Sequence, residues 1–489
     1  MVATDYVIVG AGSAGCVLAN RLSEDPSATV KLIEAGGRDR HPNISIPAAF
    51  ANQFHTKLDW DYCTEPEPHV DGRSLYIPRG KALGGSSSMN AMLYVRGRPL
   101  DYDLWAKQGA TGWGWDEVLP YFLRSEDNAR GASEFHGVGG ELRVEEQRSP
   151  RPLDRRLLDA SAAAGIPVIA DCNGPEQDGA AMFQVTQRNG RRWSAADAFL
   201  RPALARPNLE VVTGATVTGL ELERGRAVGV RHRGRRGGEG VARAGREVIL
   251  AAGAIGSPQI LLLSGIGPAE HLREVGVPVN HELPGVGRNL QDHPFVAMLW
   301  ELSEGPTLYG ADKPKNVAEW LLRKSGPLTS SVAEVVAFVR TRPGLAAADI
   351  QLHMGAVYFE DHGSEEFDGH AMTIGPVLVS PEARGRLWLR SADPLAKPRM
   401  VTNSLASAND VDSLIAGMEL AREIAAQPPL RKVVVRELKP GPAAADRDAL
   451  EADLRRRLML IYHPAGTCRM SDEGEDAVVD SELRVHGVD

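Results

Sequence analysis

The 489-residue sequence predicts an α/β protein in which a mainly parallel sheet is interleaved with a second, α+β domain built on an antiparallel sheet. Three observations indicate this fold class. Residues 5–25 have the pattern of a strand, a glycine turn and a helix, and residues 246–268 repeat that order after a long insertion. Between residue 296 and about residue 455, short alternating apolar runs are followed by helical patterns.

The composition excludes several classes of protein. Apolar residues make up 43% of the chain and charged residues 24%, which is typical of a globular protein with a sizeable core. The net charge of −9 argues against a nucleic-acid partner, because phosphate binding requires a basic surface. The sequence contains no uninterrupted run of about 20 apolar residues, so no membrane span is predicted. A start without leader character and scattered cysteines predict a cytoplasmic protein.

The first glycine turn has the spacing of a dinucleotide-binding motif. Gly10, Gly12 and Gly15 fit G-x-G-x-x-G between a strand and a helix, in "DYVIVGAGSAGCVLANRLSED". The first glycine of such a motif allows the tight turn, the second admits a pyrophosphate and the third lets the helix pack on the strand. The next strand ends at Glu34, whose carboxylate can accept hydrogen bonds from a ribose. The segment therefore predicts a Rossmann-like domain that binds NAD or FAD.

Three further segments favour FAD. Residues 36–80 are rich in loop residues, whereas a nicotinamide-binding domain continues as regular strands and helices. Residues 79–97, "RGKALGGSSSMNAMLYVRG", then offer a flexible turn that is rich in hydrogen-bond donors. Residues 246–268 return to the strand, turn and helix order of the first domain. This interleaving is typical of a flavoprotein rather than of a soluble NAD dehydrogenase.

Together these segments resemble the glucose–methanol–choline (GMC) family of FAD-dependent oxidoreductases over nearly the whole chain. Four motifs carry the resemblance in the family's order and spacing: "GKALGGSSSMNAMLYVRG", "GAIGSPQILLLSGIG", "HELPGVGRNLQDHP" and "YHPAGTCRM". Within the family, "DWDYCTEPEP", "HPAGTCRM" and "ELRVHGVD" are most similar to choline dehydrogenases and related bacterial alcohol dehydrogenases.

The resemblance implies which residues hold FAD. They are Gly10, Gly12 and Gly15 at the pyrophosphate, Glu34 at the ribose, Arg79, Gly85, Ser86 and Asn90 along the pyrophosphate and flavin, Val217 at the adenine, and Ala252 or Gly253 beside the cofactor. Some relatives bind FAD covalently through a histidine in the Gly-Ser-rich segment "GKALGGSSSMNAMLYVRG". Met89 stands at that place and cannot form the bond, so non-covalent FAD is expected.

The resemblance also implies that His463, in "IYHPAGTCRM", is the base of an alcohol oxidation. Hydride transfer from the alcohol carbon to the flavin requires an acceptor for the hydroxyl proton, and neutral imidazole suits that role. A plainer interpretation is a structural histidine beside Pro464. A metal site is not expected, because Cys468 has no second cysteine or histidine at ligand spacing.

The expected reaction is oxidation of a primary alcohol to an aldehyde, with oxygen, a quinone or another carrier as the open choice of electron acceptor. One alternative is lyase chemistry of the hydroxynitrile-lyase type, in which FAD is structural. A second alternative is a catalytically impaired remnant. It is motivated by the C-terminus, since the resemblance implies a further strand, a helix and a second His or Asn, so roughly 35–50 residues are expected beyond "HGVD".

The predicted domains follow from the motif order. Residues 1–295 would form mainly the FAD-binding domain, with a substrate-domain insert at about 150–205; residues 296–454 would bind substrate; residues 455–489 would return to the FAD domain, incompletely. In the substrate domain, His353 and Glu334 are pocket candidates. A choline site would also need aromatic faces, for which Phe338, Tyr358, Phe359 and Trp320 are available. The sequence leaves the alcohol and the oligomeric state open.

Overall fold

A computed structural model describes residues 3–489 and contains two large sheets. The N-terminal sheet has six strands, in the spatial order Leu209–Thr213, Val30–Glu34, Thr4–Val9, Glu239–Leu250, Arg226–Gly234 and Ala215–Glu223. The first four strands pair with one another in parallel. The last two are joined to them by antiparallel pairing.

The parallel order brings three strand ends to one edge of the N-terminal sheet. Thr4–Val9 lies between Val30–Glu34 and Glu239–Leu250, and pairs with both. Its last three residues are buried, as expected of a parallel strand covered on both faces. Because parallel strands end together, the turns that follow them lie side by side, which is where α/β sheets bind ligands.

The roof sheet is antiparallel and has eight strands. Six follow in the order Val434–Lys439, Met298–Leu302, Ala371–Leu378, Ile350–Gly355, Val335–Val339 and Gly179–Met182, and the two short strands Pro294–Phe295 and Met459–Leu460 pair beside them. Three of the alternating runs predicted to form the antiparallel sheet, "EVVAFVRT", "DIQLHMGAVYF" and "MTIGPVLVS", contain strands of this sheet. The fourth predicted run, "GRLWLRS", contains the strand Gly385–Trp388, which instead pairs with Arg288–Leu290 and Arg399–Val401 in a small separate sheet.

Some helices pack against the sheets, such as Ala408–Ala426 against Ala371–Leu378 and Ser13–Leu22 against Val30–Glu34, and others lie outside them. The longer helices are Ser13–Leu22, Pro99–Lys107, Trp115–Ser125, Pro152–Ala163, Gly253–Leu263, Pro314–Arg323, Ala408–Ala426 and Arg447–Arg457; shorter ones are Pro42–Ser45, Arg201–Ala203, Ala269–Glu274 and Pro428–Arg431. Short 3₁₀ helices occur at Pro47–Gln53, Gly85–Ser88, Pro327–Thr329 and Asp361–Gly363, and a short π-helix occurs at Ala196–Leu200. Short strand pairs are Tyr62–Cys63 with Tyr76–Ile77, Leu93–Tyr94 with Gln184–Val185, Glu126–Asn128 with Leu142–Val144, Gln187–Arg188 with Arg191–Arg192, and Ile266–Gly267 with His281–Glu282.

Sheet membership follows the predicted domains only in part. Gly179–Met182, in the predicted insert, belongs to the roof sheet, but Ala196–Leu200 near the end of that insert packs against the first helix. Met459–Leu460, in the predicted return segment, still belongs to the roof sheet. The chain then reaches the N-terminal sheet at its end, where the carbonyl oxygen of Asp489 accepts the N–H of Ala227 at 2.7 Å. The domain bounds therefore stay a prediction.

A buried ion-pair network connects the loop after Leu93–Tyr94 with Glu126, His136 and Asp171. The guanidinium of Arg96 binds Glu126 at 2.7 Å, and both side chains are almost fully buried. His136 bridges from Glu126, 3.0 Å from Nδ1, to Asp171, 2.6 Å from Nε2. The hydrogen bonds to Asp171 and then to Glu126 raise the pKa of His136 to about 9. His136 adds its charge to this network only while its imidazole is protonated.

This pKa predicts a loss of stability at alkaline pH. An unfolded imidazole has a pKa of about 6.5, so the contribution of His136 is complete below that pH and is lost as the pH rises to about 9. We expect the thermal unfolding midpoint to fall over this range more steeply for the wild type than for His136→Gln. The exposed His69 provides the control, because His69→Gln should keep the wild-type slope. Equal slopes for all three proteins would contradict the assignment.

Candidate active site

The first glycine turn is shaped by close contacts on two sides and open space on the third. At Gly10 the φ angle is 96°, and a Cβ would lie 2.6 Å from the carbonyl oxygen of Ala251. A Cβ on Gly15 would lie 1.9 Å from the carbonyl oxygen of Gly10. A Cβ on Gly12, by contrast, would meet no atom within 4 Å. The backbone is therefore bare where a ligand could approach.

The helix Ser13–Leu22 begins at this open space. Its N-cap residue is Gly12, so no side chain caps it, and no acidic residue lies in its first turn. The first N–H groups of a helix lack partners within the helix and attract anions. The turn therefore fits the pyrophosphate of a dinucleotide.

Glu34 closes the turn from the neighbouring strand. One of its carboxylate oxygens accepts the N–H of Ala11 at 2.8 Å and the other accepts the N–H of Gly36 at 2.7 Å. Burial raises the pKa of Glu34, and the two N–H groups oppose that rise. Each oxygen keeps a further lone pair, so the carboxylate can still accept a ribose hydroxyl.

The second glycine-rich segment lies directly against the first. A Cβ on Gly85, where φ is 52°, would lie 2.7 Å from the Cα of Gly12. Beyond it, the Oδ1 atom of Asn90 accepts Nη1 of the buried Arg192 at 2.6 Å and the N–H of Met92 at 3.1 Å. Because Oδ1 is used twice, the NH₂ group of Asn90 is the donor left for a ligand.

The remaining predicted cofactor residues lie at or near the same edge. Ala252 caps the helix Gly253–Leu263, and its Cα would lie 2.9 Å from a Cβ on Gly10. Val217 lies three residues after Gly214, whose N–H donates to the carbonyl oxygen of Gly36 at 2.8 Å. A contact between Val217 and an adenine stays a prediction.

Arg79 connects the cofactor side to the C-terminal motif. Its Nη1 donates to the carbonyl oxygen of Tyr462 at 2.6 Å, and its own N–H donates to Asp59 at 2.9 Å. Burial lowers the pKa of Arg79, whereas the nearby carboxylate of Asp292 raises it. The guanidinium is thus held beside His463 without a direct ion pair.

A cavity of about 590 Å³ runs from these loops to the roof sheet. On the cofactor side it is lined by Ser13, Arg79, Ser86, Met89 and Asn90. Its middle is lined by His293, His353 and His463. The structure therefore brings the predicted base together with the second glycine-rich segment, although the two are separated by more than half of the chain.

His463 is placed by strand pairing and by one carboxylate. Met459–Leu460 pairs with Pro294–Phe295, which sets the segments before and after it side by side. Oδ1 of Asp292 accepts the N–H of His463 at 2.8 Å. Burial, followed by the neighbouring His293, His353 and Arg79, lowers the pKa of His463 well below its ordinary value. The imidazole is therefore neutral and keeps a lone pair at physiological pH.

His293 is a site residue that the sequence reasoning missed. Its ring centroid lies 5.4 Å from that of His463, and the rings are nearly perpendicular. Its Nδ1 lies 2.9 Å from the carbonyl oxygen of Leu378, which can only accept, so Nδ1 carries the proton and Nε2 is the acceptor. Its own N–H donates to Oδ1 of Asp292 at 2.7 Å. The signal was present, since "NLQDHP" is one of the motifs of the resemblance.

His353 lies in the cavity wall, as its selection as a pocket candidate requires. It is on the strand Ile350–Gly355, and its ring meets Phe183 edge to face at 5.5 Å. Burial, and then His293, lowers the pKa of His353 to about 4. Its role in binding substrate stays a proposal.

Glu334 does not line the cavity, contrary to its selection as a pocket candidate. It is 1% exposed, so the exposed strand face considered for it is also wrong. Its carboxylate binds Arg151 at 2.5 Å and accepts the hydroxyl of Ser330. The sequence could not show this outcome, because the partner Arg151 is 183 residues away in the chain.

Two other predictions are that the protein has no metal site and no membrane-spanning helix. Within residues 3–489, one group, His55, Asp59 and Asp61, has its potential ligand atoms within 4.8 Å of one another. The atoms are already engaged, because Asp59 accepts Tyr76 and the N–H of Arg79, and Asp61 binds Lys397. Over the same residues, no helix has the length and apolar composition needed to cross a bilayer.

The fold and this cavity define an α/β oxidoreductase that binds a dinucleotide, and comparison with known families identifies which one. The sequence pattern of the N-terminal domain of GMC oxidoreductases matches residues 4–295, and that of the C-terminal domain matches residues 381–489. The chain belongs to the GMC oxidoreductase family.

Individual relatives agree with this assignment. The chain is 45% identical to a GMC-type oxidoreductase of Mycobacterium tuberculosis, over 99% of this chain and 93% of the relative. It is 41% identical to an alcohol dehydrogenase [acceptor] of Pseudomonas putida and to an oxygen-dependent choline dehydrogenase of Brucella anthropi, in each case over 99% of this chain and 89% of the relative.

Solved structures agree as well. Pyridoxine 4-oxidase from Mesorbium loti superposes with a TM-score of 0.90 at 33% identity, over 99% of this chain and 92% of that one. An Aspergillus oryzae formate oxidase, studied for modification of its FAD, gives a TM-score of 0.92 at 28% identity over the same shares. These findings confirm the predicted family, the α/β fold and FAD as the cofactor.

The open space at Gly12 predicts a variant that folds but binds FAD poorly. The φ angle of −75° suits alanine and the new methyl group meets no protein atom, but it would occupy the space expected for the pyrophosphate. We expect Gly12→Ala to weaken FAD binding at least about tenfold, measured by fluorescence titration of the apoprotein. Gly238→Ala also points into open space, on an exposed hairpin, and should bind like wild type. Equal affinities would place the pyrophosphate elsewhere.

The double acceptor role of Asp292 predicts a contrast between two substitutions. Asp292→Ala leaves the buried N–H groups of His293 and His463 without an acceptor, at a cost of about 1–3 kcal/mol each. Asp292→Asn keeps a carbonyl oxygen in the same place. We expect the thermal midpoint to fall clearly for the alanine variant and to stay close to wild type for the asparagine variant. Equal midpoints for both variants would count against this arrangement.

Proposed function

We propose that the protein oxidises a primary alcohol to its aldehyde, with FAD accepting the hydride and His463 accepting the hydroxyl proton. The observation that carries the proposal is the position of a neutral His463 in the wall of a cavity that also reaches the cofactor loops. Loss of one hydride from carbon and one proton from oxygen converts the alcohol into the aldehyde without any other reactant.

The proton acceptor is supported by the surroundings of His463. A general base must be unprotonated before the reaction and within reach of the hydroxyl. Burial keeps the ring neutral, and the hydrogen bond to Asp292 holds its backbone. His293 cannot donate to His463 through Nε2, because its proton is on Nδ1. The lone pair of His463 is therefore not used by its nearest titratable neighbour.

The charge that develops on the alcohol oxygen would meet donors on the cofactor side. Arg79 lines the cavity next to His463, and the NH₂ group of Asn90 faces the same space. Fixed donors in a buried site stabilise a developing alkoxide without reorganising. The apolar wall opposite would hold the carbon chain of the alcohol and orient its reacting carbon.

Bound FAD would supply a hydride acceptor, and the residues present suit a non-covalent cofactor. Met89, which stands where some relatives attach FAD, lines the cavity with its thioether side chain and offers no nucleophile for a bond to the ring. Retention of FAD would then depend on the two glycine-rich turns, which touch at Gly12 and Gly85.

The role of His463 predicts a large effect of one substitution. His463→Gln should retain FAD but slow anaerobic flavin reduction by a primary alcohol by about 10²–10⁴-fold, because the proton acceptor is lost. Stopped-flow absorbance of the flavin measures this rate. His69→Gln, on the exposed surface, should reduce at the wild-type rate.

Three other outcomes have distinct meanings. A rate within a factor of about three of wild type would exclude His463 as the base. A wild-type protein that binds FAD but is not bleached by any of a panel of alcohols, yet cleaves a cyanohydrin, would favour the lyase alternative. A protein that stays colourless after incubation with FAD would favour a remnant without activity.

A further inference from the structure

We infer that the cavity selects an uncharged, apolar primary alcohol, with an aromatic or branched aliphatic body, and discriminates against quaternary ammonium alcohols such as choline. The inference rests on the proposed function and narrows its substrate. It also separates two relatives, the alcohol dehydrogenase and the choline dehydrogenase, to which the chain is equally identical.

The wall away from the cofactor loops is strongly aromatic. Six phenylalanines line the cavity: Phe50, Phe54, Phe183, Phe295, Phe338 and Phe359. Phe50 and Phe359 stack at 6.4 Å between ring centroids, and Phe54 meets Tyr462 edge to face at 5.4 Å. Such a wall is suited to bury an apolar body and gives it fixed faces to pack on.

Aromatic faces alone do not decide the charge of the ligand, because they also attract cations. The carboxylates decide it. Among the described residues that line the cavity, Asp101 is the one carboxylate, and Arg98 occupies it: Oδ2 accepts the N–H of Arg98 at 2.8 Å, and Oδ1 lies 3.3 Å from Nη2. Asp101 is therefore already paired with a cation of the protein.

The other charged groups in the wall are cationic. Arg79, Arg96 and Arg98 all line the cavity, and Arg96 is matched by Glu126 behind it. The three histidines are neutral, since burial lowers the pKa of each. A quaternary ammonium would thus leave water for a site with no counter-charge and with guanidinium groups nearby, which is unfavourable.

Three of the residues that favoured choline in the sequence, Glu334, Tyr358 and Trp320, lie outside the cavity. Glu334 is paired with Arg151 outside the cavity. Tyr358 donates its hydroxyl to Glu365 at 2.6 Å near the surface, and Trp320 donates to the carbonyl oxygen of Gly190 at 2.9 Å. Of the aromatic candidates, Phe338 and Phe359 do line the cavity, and both are uncharged.

Gln351 offers a way to add the missing charge. It lies on the strand Ile350–Gly355, two residues before His353, so both side chains point to the cavity face. It is 8% exposed. Gln351→Glu replaces an amide by a carboxylate of nearly the same shape, so it changes the charge of the wall with little change in volume.

The decisive experiment compares choline with its uncharged isostere, 3,3-dimethylbutan-1-ol, using the FAD-loaded protein and anaerobic flavin reduction. We expect kcat/KM for the uncharged alcohol to exceed that for choline at least about 100-fold, and benzyl alcohol to be oxidised as readily as the isostere. Gln351→Glu should lower the preference at least about tenfold. Gln108→Glu, on the exposed surface, should leave it unchanged.

Equal or greater kcat/KM for choline in the wild type would overturn the inference, whatever the variant does. If no alcohol bleaches the flavin, the proposed function fails, and binding decides the inference separately. In that case 3,3-dimethylbutan-1-ol should raise the thermal midpoint of the protein and choline should not. A shift with choline alone would overturn the inference.

Discussion

The arrangement of the site depends on one buried carboxylate oxygen. Oδ1 of Asp292 accepts the N–H groups of His293 and His463, and so joins two segments that lie 171 residues apart in sequence. One of these segments leads into the roof sheet and the other follows the last strand of that sheet. Because His463 is held through its backbone, its ring is left free to face the cavity. Together with the pairing of Met459–Leu460 and Pro294–Phe295, this link fixes the proposed base relative to the cofactor loops.

The chemistry that the site can perform follows from the partial removal of its ionisable groups from water. Burial makes the three histidines poor proton carriers before the reaction, and it raises the pKa of Asp292 to about 7, against the opposing N–H groups and Arg79. A neutral base, fixed donors on one side and phenylalanine rings on the other give a site in which charge develops only where it is stabilised. The same removal from water makes the binding of a permanently charged cation unfavourable.

Much of the cofactor side could be predicted from the sequence, because glycine records backbone geometry directly. Glycine is required at positions 10 and 15 because a Cβ there would lie 2.6 Å and 1.9 Å from a backbone carbonyl oxygen. Such constraints appear in the sequence as a fixed spacing of glycines. The substrate side could not be predicted in the same way. Glu334 and His353 both belong to the roof-sheet region, yet one is sealed in an ion pair and the other lines the cavity. His293 was overlooked because a motif shows that a residue is present but not where its ring points.

The sequence by itself determined the family, the class of fold, the two glycine-rich turns and the histidine near the C-terminus. These features depend on short-range geometry, which local patterns encode. The tertiary structure decided which side chains share the cavity, which charges are already paired and what the wall can accept. Those properties depend on contacts between strands that are distant in the chain, and a shift of one residue along a strand turns a side chain to the opposite face.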